Sequence, residues 1–129
     1  MYKSGEIIKS VGVDFIGIPL VFHYGIVLVE DNETYVLHNG RERGVEKEPM
    51  HVFLKEREVY KMLPSSLEAL SNKDIMLRFN HCKSRWDVLN FNCEHFIDCM
   101  TNRNRNSEQL LKIIVVSTIF ILLIRKHNE

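Results

Sequence analysis

A chain of 129 residues supports one compact domain with a modest core and excludes two. Seventeen basic side chains balance seventeen acidic ones, so no net field recruits nucleic acid or an acidic substrate. Ser4 to Lys9 reads as a short strand, with Gly5 marking its start. Gly12 to Pro19 carries Gly and Pro at short intervals and reads as a loop. Phe22 to Val29, rich in aromatic and β-branched residues, and Thr34 to His38 read as two strands. A polar turn at Glu30 to Glu33 joins them into an antiparallel hairpin. His23 begins the first strand and His38 ends the second, so the hairpin sets the two imidazoles side by side, away from the turn.

The charged stretch from Asn39 to Glu48 reads as a loop, Met50 to Leu54 as a further strand, and Pro64 closes that region. Ser71 to Asp74 has the form of a capping box with Ser71 as the N-cap, and Ile75, Met76, Phe79 and Cys82 supply one apolar helix face. Ser84-Arg85 breaks this helix, and Trp86 to Phe91, with Trp86 read as core, leads into the next. Strands first and helices later argue for an α+β domain with an antiparallel sheet.

The run Asn92-Cys93-Glu94-His95-Phe96 carries the chemistry. Asn92 suits an N-cap, and Cys93, Phe96, Ile97 and Met100 then follow the spacing of one inward helix face. A thiol on the first turn of a helix is activated by the N–H groups and dipole there, because both stabilise the thiolate. Cys93, His23 and His38 together fit acyl transfer of the cysteine–histidine type. His95 faces a different direction from Cys93 and is assigned to hydrogen bonding or the surface. Glu94 and Asp98 read as solvated helix residues. No metal or cofactor is expected: His81, Cys82, Cys93, His95 and Cys99 lack the paired spacing of a zinc site, and Cys93 and His95 splay apart on a helix.

The three cysteines cannot all pair with one another, and Met1 to Lys9, polar and charged, does not resemble a signal peptide. Three reduced thiols in an intracellular, reducing setting are expected. Toward the end, Leu110 to Ile124 is apolar apart from Lys112, Ser117 and Thr118, with basic residues on both sides. As a helix it would be about 22 Å long, short of the ~30 Å hydrocarbon core, though Lys112 and Arg125 can snorkel. Its position after a polar linker and its apolar character on all faces favour a membrane anchor over a core element.

The segments SGEIIKS, FHYGIVLVE, TYVLHN and FNCEHF together resemble the lecithin:retinol acyltransferase-like domain, closest in scale to the small phospholipase A/acyltransferase (H-Ras-like suppressor) branch. The resemblance covers about Ser4 to Thr101. It implies a permuted papain-like α+β fold, with a catalytic domain over residues 1–102, a polar linker over 103–109 and a membrane anchor over 110–125. It implies Cys93 as nucleophile, His23 as general base and His38 as the group that orients or polarises His23. The implied activity is removal of an acyl chain from a glycerophospholipid as a thioester and its transfer to water, an amine or a lysolipid, with the catalytic domain on the cytoplasmic side of a membrane. Two other readings stay open: a non-catalytic regulatory or interaction protein of the same fold, and a cysteine peptidase or amidase.

Overall fold

Residues 1–12, 22–40, 43–83, 92–102 and 108–127 are described here, from a computed structural model. Beyond Gly12, the expected loop to Pro19 lies outside the described residues, as do the break at Ser84-Arg85, Trp86 to Phe91 and residues 103–107 of the linker. Five strands, β1 (Ile7–Gly12), β2 (His23–Glu30), β3 (Glu33–Gly40), β4 (Gly44–Pro49) and β5 (Arg57–Leu63), form one antiparallel sheet in the order β4-β3-β2-β1-β5. A one-turn helix, α1 (Met50–Phe53), joins β4 to β5, and a 3-10 turn at Ser66–Ala69 precedes α2 (Asn72–Cys82) and α3 (Cys93–Thr101). The α+β architecture with an antiparallel sheet is therefore as expected.

The sheet is covered on both faces, which is why β2 reads as a nearly unbroken apolar run. Ile26, Leu28 and Leu37 face α2 and α3, where Ile75, Phe79, Phe96, Ile97 and Met100 complete a core. Val27 and Val36 face the other way, onto Met50 and Phe53 of α1. Each fully buried side chain of this kind contributes about 1.5–3 kcal/mol of apolar transfer. The β2–β3 turn is Asp31-Asn32, both left-handed with φ of 48° and 65°, the two-residue geometry that matches strand twist.

Three local expectations are corrected. The charged run expected as a loop up to Glu48 contains β4, in which Val45 turns into the core, Glu46 and Glu48 alternate onto the α1 face, and Lys47 is exposed on the sheet edge, where charge discourages further pairing. Met50 to Leu54 is helical, because burial of Met50 and Phe53 follows a one-turn spacing and not alternation. Asp98 is buried, not solvated: β2, β3, α2 and the 3-10 turn enclose α3 on several sides. Strand β5 is an addition to the expected elements.

The expectation of three reduced thiols is also corrected. Cys82 and Cys99 form a disulfide, with Cα atoms 6.0 Å apart, tying the end of α2 to α3. The pair is seventeen residues apart in sequence and becomes adjacent only because Phe79 meets Phe96 edge to face where the two helices pack. With that bond in place, the cysteines no longer argue for a reducing compartment.

The apolar segment near the end is the helix α4 (Glu108–His127), and the described side chains from Ile114 to Arg125 are all exposed, so it is not a core element of this fold. Among the described residues no helix is long and apolar enough to cross a membrane.

Candidate active site

The hairpin brings the two histidines together. Register pairs Gly25 with His38, which leaves His23 one pleat further along on the same face. Nε2 of His23 lies 2.9 Å from Nδ1 of His38, with the rings edge to face. Gly25 makes this approach possible: a Cβ there would sit 2.4 Å from Val36 Cγ1, driving β3 away beneath His38. Phe53 of α1 packs against both imidazoles. Ser10, fully buried, donates its hydroxyl to the His23 carbonyl and pins the start of β2 to β1.

Both imidazoles are neutral. Burial, together with the His38 ring and the Arg57 charge, holds His23 well below the ordinary imidazole range. Burial, aided by Arg57 and Arg43, pushes His38 down to about 4. The contact from His38 Nε2 to Glu48 Oε2, 3.2 Å, is thus a hydrogen bond from a neutral ring to a carboxylate and not an ion pair. Glu46 Oε1 lies farther off, at 3.6 Å, and also faces Arg43.

Cys93 opens α3 as the sequence leads one to expect. Asn92 accepts from the N–H groups of Glu94 and His95 through Oδ1, at 2.9 and 3.1 Å. His95 returns the bond, its Nδ1 accepting from the Asn92 N–H at 3.3 Å. This reciprocal cap uses His95 structurally and leaves Cys93 at the helix start, buried, with its Sγ 3.8 Å from the carbonyl oxygen of Phe22. That carbonyl belongs to the residue immediately before His23. Phe22 is itself held between the Lys9 ammonium, 4.0 Å from its ring centre, and Tyr60, 4.8 Å ring to ring.

The sulfur and the imidazoles approach from different faces. Strand alternation puts His23 and His38 on the α1 face, while α3 packs on the opposite face against Ile26 and Leu28. The sulfur meets the chain at the Phe22 carbonyl, one residue before His23 opens β2.

Sequence reasoning missed Glu46 and Glu48, which lie on the α1 face beside His38 because β4 pairs with β3. The alternation Val45-Glu46-Lys47-Glu48 was the available signal. His38 Nε2 and the two carboxylates lie within 4.8 Å of one another, a donor set of the kind divalent cations take. They line a pocket of about 320 Å³ together with Arg43, Lys55 and Arg57, whose charges oppose a cation there.

Comparison with protein-family models, with curated proteins and with solved structures gave no match to this chain.

Proposed function

We propose that this chain is a thiol acyl-transfer enzyme of the lecithin:retinol acyltransferase-like type, with a permuted papain-like arrangement, acting on glycerophospholipids at a membrane. The observation that carries the reading is the neutral His23–His38 pair, 2.9 Å apart, on the strand whose preceding carbonyl meets the Cys93 sulfur. In this reading His23 takes the thiol proton through Nδ1, since Nε2 is engaged with His38. The thiolate, favoured by the start of α3, attacks the ester carbonyl and forms a thioester. The lysolipid alkoxide leaves with the proton from His23. Water, an amine or a lysolipid then gives its proton to His23 and releases the acyl group from sulfur. In this reading backbone N–H groups beside Cys93 stabilise the tetrahedral oxyanion.

The exposed apolar side chains of α4, among them Val115, Val116, Phe120, Ile121, Leu122 and Leu123, supply the membrane contact. Association with one leaflet needs less length than a crossing and holds the site near its substrate.

The test is fatty-acid release from phosphatidylcholine vesicles by the unaltered chain and by Cys93→Ser. Undiminished release by the variant would reject Cys93 as nucleophile. The opposite-face placement of imidazoles and α3 favours a second reading, a non-catalytic interaction protein on this scaffold. A chain that turns over no lipid or simple ester would establish that alternative.

A further inference from the structure

We propose that Glu48 is a positioning residue that fixes the tautomers of both imidazoles, and thereby makes Nδ1 of His23 the nitrogen that receives the Cys93 proton. This rests on the enzymatic reading above and adds to it a residue outside the expected set of three.

The argument follows the donors and acceptors outward from the carboxylate. An ionised carboxylate only accepts, so the 3.2 Å contact requires that His38 carry its proton on Nε2. A neutral imidazole has one N–H, which leaves His38 Nδ1 as an acceptor. The 2.9 Å contact then requires that His23 donate from Nε2. His23, also neutral, is left with a bare Nδ1. One acidic group at the end of the row thus sets the direction of every bond in it. If His38 carried its proton on Nδ1, the row would reverse, His23 would hold its proton on Nδ1, and that nitrogen could not act as a base.

The surroundings keep the row in this state. Burial and the Arg57 guanidinium, which sits 4.9 Å from the Phe53 ring centre, work against protonating either imidazole. Burial and the nearby Glu46 raise the Glu48 carboxyl, while Arg57 and Arg43 oppose that rise and favour its ionised form. Glu46 is the weaker candidate: it is farther from Nε2 and its other oxygen faces Arg43 at 3.4 Å. Register explains the difference in reach, since Glu46 stands directly across from His38 while Glu48 stands across from Val36 and leans over.

The experiment is a long-range proton–nitrogen correlation spectrum of the full chain, nitrogen-labelled at histidine, in detergent micelles. Assignment uses His23→Gln and His38→Gln. The expected spectrum shows both rings protonated on Nε2 and bare on Nδ1. Glu48→Gln, whose amide both donates and accepts, should give mixed tautomers and slow acylation of Cys93 by an activated ester by roughly 10- to 100-fold. Glu48→Asp should partly restore both readouts, and Glu46→Gln should leave them unchanged. A proton on His23 Nδ1 in the unaltered chain overturns the proposal, as does an unchanged tautomer in Glu48→Gln. Should Glu48→Gln fail to fold, the unaltered spectrum and Glu48→Asp still decide. An unaltered chain that turns over no ester rejects the enzymatic reading alone, while its spectrum still tests the role of Glu48.

Discussion

Acid should destabilise this protein through His38, and the size of the effect follows from the structure. Buried and faced by two guanidinium groups, His38 titrates at about 4 in the folded chain, against its ordinary 6.5 when unfolded. Between those values the unfolded chain binds more protons than the folded one. Stability is therefore fully present above the unfolded value and is lost as pH falls toward the folded value. From about pH 7 to about pH 5 the linkage relation gives a loss of about 2 kcal/mol from this residue alone, approaching about 3 kcal/mol at lower pH. His23, depressed for the same reason, adds to the loss. Glu48 acts in the opposite sense, because its carboxyl is raised in the folded chain and its protonation favours folding as pH falls. Urea denaturation at steps between about pH 7 and about pH 5 measures the sum. The comparison with His38→Gln isolates the residue, since the variant should lose about 2 kcal/mol less over that range. Equal losses in the two proteins would refute the buried, neutral imidazole on which the site depends.

Other consequences are as specific. Gly25→Ala places a methyl group 2.4 Å from Val36 Cγ1. Overpacking of this kind costs about 1–3 kcal/mol, measured by denaturation, and should abolish ester turnover by parting the imidazoles. The Cys82–Cys99 bond closes a seventeen-residue separation, for which the chain-entropy relation gives about 3 kcal/mol. Cys82→Ser should lower stability by about that amount without reductant and remove any further effect of reductant; identical reductant sensitivity in the variant would contradict the bond. Deleting Leu110 to Glu129 should reduce turnover of vesicle phospholipid more than turnover of a monomeric ester, and equal changes would count against a tethering role for α4.

The parts of this protein legible in the sequence are those where local pattern and tertiary role agree. The β2–β3 hairpin announced itself because Phe22 to Val29 and Thr34 to His38 flank a polar turn, and antiparallel geometry then paired the histidines without further information. The start of α3 was equally clear, since Asn92 is an N-cap by chemistry and the spacing Cys93, Phe96, Ile97, Met100 is helical. Edge strand β4 failed the same test because it has a single inward apolar residue, Val45, among charges. Its misreading hid Glu46 and Glu48, whose meaning exists only once the strand is paired. Asp98 looked like a surface residue because its burial comes from neighbours distant in sequence, and the Cys82–Cys99 bond was invisible because only the packing of α2 on α3 brings the sulfurs together.

The most direct measurement is the intact mass of the full chain after brief exposure to an activated acyl ester. The account predicts one added acyl group, released by hydroxylamine, absent from Cys93→Ser and slow to form in His23→Gln. An unmodified chain, or the same labile adduct on Cys93→Ser, would contradict the claim that this sulfur and this imidazole act together.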